Sequence, residues 1–171
     1  MKSASAVAKT FLAAMLLAIP LAAIAEQGTG DAALSQALRQ AKLPLERGLA
    51  ASSREGMPVS AKYELEDGGL QLSVYTMKGD SFAEVIVDYQ TGKISKVVPI
   101  KDGEDLVAAR GQKETMARAK RSLGAAVSEA VNANDGYRAV SAMPELKDGH
   151  PVVKVMLVKG KSWKAAYEKL D

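Results

Sequence analysis

The apolar residues of this 171-residue chain change their spacing several times, and each change predicts a new element. After Asp31, a suitable helix cap, apolar residues recur at helical spacing from Ala33 to Ala41. A second helical stretch begins at Pro44, because Pro is well tolerated in a first turn, and ends at Gly56. Residues 31–41 and 44–56 are therefore predicted to form two helical stretches.

From residue 59 apolar and polar positions alternate, which is typical of strands with one buried face. The turn sequences "EDGG", "KGDS" and "QTGK" separate the strands. The predicted strands are 59–65, 70–76, 82–89 and 94–100, the last of which either pairs with the third or extends it. This half is thus predicted to be a helix followed by three or four antiparallel strands.

The same order returns in the second half of the chain. Residues 101–113, "KDGEDLVAARGQK", are polar and charged, and we predict a linker, with or without one short helical turn. A helix is predicted over 114–134, and strands are predicted at 137–145, 151–158 and 163–170. The buried stripe of that helix is predicted to be Met116, Ala119, Leu123, Val127 and Val131.

The two halves share a layout, which indicates an internal duplication. Each has a strand, a D-G turn, a strand, a K-G turn and an aromatic residue that opens the third strand. The predicted fold class is α+β, with tandem units of one helix packed on a small antiparallel sheet of three to four strands. The predicted divisions are a signal peptide 1–25, a leader or helix 26–43, unit 1 at 44–100, a linker 101–113 and a truncated unit 2 at 114–171, which lacks the T-G-K turn.

The N-terminal residues have the pattern of a secretory signal peptide. Lys2 and Lys9 give a positive start, residues 11–19 are apolar, and Ala23-Ile24-Ala25 is a small-x-small cleavage signal. The apolar run is shorter than the about 20 residues that span a bilayer. We therefore expect cleavage after Ala25, a periplasmic or secreted mature chain and no stable membrane insertion. An uncleaved N-terminal anchor is the alternative.

Charge and cysteine content narrow the class of protein. The full chain has 23 Lys and Arg residues against 20 Asp and Glu residues, a net charge of +3. Because Lys2 and Lys9 leave with the signal peptide, the mature chain is close to neutral, and its charge does not indicate nucleic-acid binding. The chain has no Cys, so an exported form has to be stable without disulfides.

The segment "AEVIVDYQTGKI" at 83–94 closes a hydrophobic strand with Asp88 and continues with Thr91, Gly92 and Lys93. Together with the Ala-rich helix that ends in Gly and the strand–D-G–strand hairpin, this segment resembles the PepSY domain family. The resemblance covers residues 44–98 and, less closely, 114–171. It implies one helix packed on a small antiparallel sheet, as in propeptides of thermolysin-type metallopeptidases and in stand-alone secreted proteins.

The resemblance also implies a function, the binding and restraint of peptidases, and no catalytic residues come with it. We therefore expect a non-enzymatic binding protein that inhibits or modulates a peptidase or another envelope or secreted protein. The alternative is a sensory or structural accessory module that binds a peptide, a small ligand or a metal. No cofactor is expected, and the sequence does not indicate an oligomeric state.

The T-G-K segment is better explained as a turn than as a phosphate-binding loop. Such a loop needs G-x-x-x-x-G-K-[ST] before a helix, and neither Gly92 nor Gly160 has a Gly five residues earlier. We therefore predict that Asp88, Thr91, Gly92 and Lys93 form a structural turn.

Other catalytic or metal chemistry has little support. "GDSF" at 79–82 is similar to an esterase nucleophile block, but its base would have to be His150, the only His, which lies in a D-G-H turn. One His and no Cys argue against a transition-metal site, and the acidic residues show no calcium-loop spacing.

Trp163, Tyr167, Arg118 and Arg121 are the candidates for partner binding. The two arginines belong to a basic cluster, which is either a solvated helix start or a docking site for an acidic partner or membrane surface. The two aromatic residues share one face of a predicted strand, where they either pack internally or form a binding platform. Nucleic acid is not expected, because an exported chain with few aromatics lacks a stacking surface.

Overall fold

The computed structural model describes residues 32–171, so the predicted signal peptide and the start of the leader lie outside the described residues. A helical stretch at 32–37 continues into a 3-10 turn, Leu38–Gln40. The helices are α1 (Leu45–Ser52), α2 (Gly103–Met116) and α3 (Leu123–Asn132). The strands are β1 (Met57–Glu66), β2 (Gly69–Lys78), β3 (Ser81–Val87), β4 (Ile94–Ile100), β5 (Arg138–Lys147), β6 (His150–Lys159) and β7 (Ser162–Lys169).

These strands form one antiparallel sheet in the order β4-β3-β2-β1-β5-β6-β7. The two halves meet at its centre, where β1 pairs with β5 only through Ala61 with Ala142 and Lys62 with Ser141. The predicted α+β class and antiparallel strands are confirmed. The sheet is larger than the predicted three to four strands, because both halves contribute to it.

The strand predictions hold in detail. Each strand begins and ends within two residues of the predicted positions, and 94–100 pairs with β3 as a separate strand. The hairpin signals were correct for a physical reason, since Asp67 and Gly68 both adopt positive φ, at 49° and 77°. Such a pair is the requirement of a tight hairpin turn.

One face of the sheet carries the hydrophobic core. Alternate strand residues point to this face and form a single cluster with the apolar sides of α1 and α3. Gly48 lets α1 approach β2 closely, because a Cβ at this position would lie 2.6 Å from Leu72 Cδ2. The most deeply buried residues include Leu45, Leu72, Val74, Val85, Val127, Val155 and Leu157.

Helix α2 lies on the opposite face. Ser60 and Met143 are chain neighbours of the core residues Ala61 and Ala142, so their side chains point away from the core. The Ser60 hydroxyl donates to Gln112 Oε1 of α2 at 2.8 Å, and Gln112 Nε2 lies 3.9 Å from Met143 Sδ. The sheet is thus covered by helices on both sides.

The prediction of a linker with one short helical turn at 101–113 was wrong. Most of this segment belongs to α2, which has 14 residues. Glu104 and Asp105 in its first turn and Lys113 in its last turn favour a helix through the backbone dipole. Ala109 is buried against the sheet, so tertiary contact stabilises a sequence that looks like a linker by composition.

The prediction of one helix over 114–134 was also wrong. Helix α2 ends at Met116, and α3 begins only at Leu123. Between them the backbone N–H groups of Lys120 and Arg121 donate to Leu170 O, at 2.6 and 3.1 Å, instead of to a helical carbonyl. The break is needed because α2 and α3 lie on opposite faces of the sheet, although the apolar spacing is continuous across it.

Candidate functional site

A groove of about 530 Å³ opens between α1 and α3, beside the start of β1. Both halves of the chain build it, since α1 and β1 lie before residue 101 and α3 lies after it. Its apolar lining consists of Leu49, Ala50, Met57, Pro58, Met116, Ala119, Leu123 and Ala125. Glu46, Lys120 and Arg121 add charged groups to the lining.

The groove is apolar and accessible from solvent. Leu49 and Leu123 are buried in its floor, whereas the Met57 side chain is 43% exposed. Methionine is flexible and polarizable, and it is common at surfaces that adapt to a binding partner. The small residues Ala50 and Ala125 lie exposed on the facing helices and leave the groove open.

The two basic residues of the groove have different roles. Arg121 is engaged within the protein, since its guanidinium pairs with Glu129 and donates to Lys169 O at 3.2 Å. Lys120 is exposed and forms no ion pair with any residue that the structure describes. Of the two, Lys120 is therefore the cation available to an incoming carboxylate.

Arg118 and Arg121, predicted as partner-binding residues, do not form one site. Arg118 is exposed and lies outside the lining of the groove, with its Nη1 3.5 Å from Gly149 O in the β5–β6 turn. Arg121 lies in the groove but mainly fixes the loop before α3 to the end of β7.

Trp163 and Tyr167 point to the same face of β7 but differ in surroundings. Trp163 is half-buried, packs against the core cluster and donates its indole N–H to Ser35 Oγ at 2.9 Å. Tyr167 is 48% exposed, and Lys147 Nζ lies 4.9 Å from its ring centre. Only Tyr167 is thus available as a partner-binding aromatic residue.

A smaller pocket of about 210 Å³, which includes polar residues, lies under α2 on the other face of the sheet. Lys62 lies in this pocket and pairs with Glu64. Burial of the Lys62 ammonium lowers its pKa, but the bond to Glu64 raises it, and the net result is a raised pKa. For the neighbouring Tyr75 phenol, in contrast, burial raises the pKa. Glu64 in turn accepts a bond from Ser73, so these polar groups have partners within the sheet.

Asp88, Thr91, Gly92 and Lys93 lie in the connection from β3 to β4. Asp88 Oδ1 accepts from the Thr91 N–H at 2.7 Å and from the Gln90 N–H at 2.9 Å. These backbone bonds hold the pKa of Asp88 below its ordinary value, and the bond from Thr91 has the largest effect. Gly92 has a φ of 75°, so the segment has the geometry of a turn.

We expect the change Gly92→Val to destabilise the protein by about 1 kcal/mol or more, because a β-branched residue is strained at positive φ. A Cβ at Gly92 would also lie 3.1 Å from Leu43 Cδ1. Thermal melts are the measurement, with His150→Ala as the control, since the His150 side chain is 67% exposed and its replacement should leave the melt unchanged. An unchanged melting temperature for Gly92→Val would contradict the prediction that this turn requires glycine at position 92.

The GDSF segment and His150 do not come together. His150 Nδ1 lies 2.8 Å from Asp171 Oδ2, which lowers the pKa of Asp171. Ser81 begins β3, whereas His150 begins β6. Four strand spacings separate these strands in the sheet, roughly 19 Å. His150 therefore lies too far from Ser81 to act as its base.

Within residues 32–171, no group of three or more His, Cys, Asp or Glu side chains is arranged to hold a metal ion. None of the helices described in this part of the chain is both long enough and apolar enough to cross a membrane. A search of protein-family models, curated proteins and solved structures found no significant match to the chain.

The groove was not predicted from the sequence. Its walls come from segments about 70 residues apart in the chain, and they meet only through the shared sheet. A partial signal was present, since Met57 is a large apolar residue that precedes the alternating pattern beginning at Val59.

Proposed function

We propose that the mature chain is an exported, non-enzymatic binding protein with two PepSY-like units that inhibits or modulates a peptidase or another envelope protein. The observation that carries this proposal is the open groove between α1 and α3, which both halves build. In this proposal the tandem units act together, because neither half alone contains both walls of the groove.

The composition of the groove favours a polypeptide partner. Its apolar floor suits a protruding apolar side chain, and Lys120 at its edge suits a carboxylate beside that side chain. A surface segment of a peptidase that presents an apolar residue next to Asp or Glu has this chemistry. Binding there would restrain the partner without any reacting group on this chain.

A second candidate is the accessory module that binds a small ligand or peptide. The volume of the groove supports it, since about 530 Å³ lies within the roughly 300–1,000 Å³ range of small-molecule sites. In this case the groove would be filled by one molecule, and the partner protein would respond to the loaded form.

The test is a pull-down from the periplasm with mature protein prepared by export. The intact mass of that protein should correspond to a chain that begins at Glu26. A captured peptidase favours the first function, and a captured sensor or transporter favours the second.

We expect Ala125→Arg, which fills the groove from an exposed position, to weaken partner binding at least about tenfold. Asn132→Arg, exposed at the far end of α3, is the matched control. Equal affinity for both variants would rule out the groove.

A further inference from the structure

Strand β7 forms an open edge of the sheet. It pairs with β6 through eight consecutive residue pairs, from Lys159 with Ser162 to Val152 with Lys169. On its outer side, the described part of the chain places no strand and makes no backbone-to-backbone hydrogen bond to residues 162–169. The outward N–H and C=O groups of such an edge can pair with another extended segment.

The opposite edge, β4, is protected. Pro99 has no N–H to donate, and the pairing of β3 with β4 is irregular between Ile86 and Val87. Strand β7 has no proline and no register shift, and the small residues Ala165 and Ala166 at its centre leave its backbone accessible. Of the two edges, β7 is the one suited to accept a strand.

The surroundings of β7 are basic. Lys164 and Lys169 lie on the strand, and Lys154 lies opposite Tyr167 on β6. These three lysines form no ion pair with the described residues, and Glu168 is the only acidic residue within β7. Lys147 adds a further charge over the exposed Tyr167 ring. A segment that approaches this edge therefore meets a positive potential.

We propose that β7 binds an extended acidic segment of a partner polypeptide, which adds to the sheet as an eighth strand. Backbone bonds to residues 164–168 hold the segment, and its carboxylates pair with Lys164, Lys169 and Lys154. This surface is separate from the groove, whose lining includes no β7 residue. A second copy of the chain is a poorer occupant, because two lysine-rich edges repel each other.

The probe is a synthetic peptide in which Glu-Glu and Thr-Thr pairs alternate, with blocked ends, titrated into the full mature protein. Both of its faces carry carboxylates, because Lys164 and Lys169 lie on opposite faces of β7. A matched Lys–Thr peptide tests the charge, and a Glu–Thr peptide with N-methylated central amides tests the backbone pairing without altering the protein. We expect the Lys–Thr and N-methylated peptides to bind at least about tenfold more weakly than the Glu–Thr peptide. The protein variant Lys164→Glu/Lys169→Glu should lose about tenfold, whereas Lys96→Glu on the β4 edge should not.

Amide hydrogen exchange locates the bound peptide. We expect slower exchange in β7, and not in β4, when the Glu–Thr peptide is present. The proposal is overturned if the N-methylated peptide binds equally well, if the Glu–Thr peptide does not bind, or if protection appears in β4. Protection of β7 by dimerisation without peptide would also overturn it, in favour of a second copy. Ala125→Arg should leave peptide binding unchanged, so failure of this proposal and failure of the groove are distinguishable.

Discussion

Replacing Ala142 with aspartate is expected to destabilise the whole chain by about 4 kcal/mol or more, because a charge without a partner enters the core. Ala142 is fully buried at the junction of the two halves. It lies opposite Ala61 of β1 on one side and Val155 of β6 on the other. The carboxylate would disturb the only pairing that joins the two groups of strands.

The loss of stability is expected to affect both halves together. Leu45 and Val74 from the first half and Val155 and Leu157 from the second belong to one hydrophobic cluster. A shared core predicts a single cooperative transition. Urea unfolding should therefore give the same midpoint by Trp163 fluorescence, which reports on the second half, and by hydrogen exchange of β2 and β3, which reports on the first.

The matched control is Ala165→Asp, because Ala165 is exposed on β7 and its replacement should change stability little. Two separate midpoints, with the second half unfolding at lower urea, would contradict the shared core. In that case the halves would be independent domains in contact, and the groove between α1 and α3 would depend on a weak interface.

Local signals explain why the strands were predictable. Each hairpin alternates apolar and polar residues. Apart from β3–β4, each is closed by an Asp-Gly or Lys-Gly pair whose Gly has positive φ, as Gly149 shows. The turn at Asp88 and Gly92 is local in the same sense, since the bonds that Asp88 makes within it join residues at most five apart. Such features do not depend on the rest of the fold.

Long-range contacts explain what the sequence did not reveal. The pairing of Ala61 with Ala142 decides that the halves share one sheet, yet nothing near either residue signals it. Helix α2 is polar along most of its length and owes its position to contacts of Ala109 and Gln112 with the sheet. The groove and the β7 edge depend on the same arrangement, so neither was predictable from periodicity.

Arg138 is another residue that no sequence pattern singles out. Its guanidinium donates to Leu38 O and Ala41 O, both at 3.0 Å, and to Leu43 O at 3.1 Å. It also lies 5.5 Å from the centre of the Tyr63 ring, whose hydroxyl donates to Leu43 O at 2.6 Å. Burial raises the pKa of Tyr63 to about 12, and the charge of Arg138 only partly opposes this. These bonds fix the segment before α1 to the sheet.

We expect Arg138→Ala to destabilise the protein by about 2–4 kcal/mol, because three carbonyls lose a charged donor. The stability of Arg138→Lys should fall between that of Arg138→Ala and that of the original protein. An ammonium keeps the charge but lacks the planar fork by which the guanidinium reaches three acceptors. Tyr63→Phe removes one hydrogen bond and should cost about 1 kcal/mol.

Urea unfolding measures these differences, and amide exchange tests their cause. In Arg138→Ala, the N–H groups of Lys42 and Leu43, which donate to Tyr89 O, should exchange faster, because the segment that carries them is released. Arg138 does not contact α3. The exchange rates of the α3 amides should therefore change only as far as the global stability changes. If stability falls while Lys42 and Leu43 remain as protected as the core, Arg138 acts elsewhere in the sheet, and the segment before α1 is held by Tyr63 and Tyr89 alone.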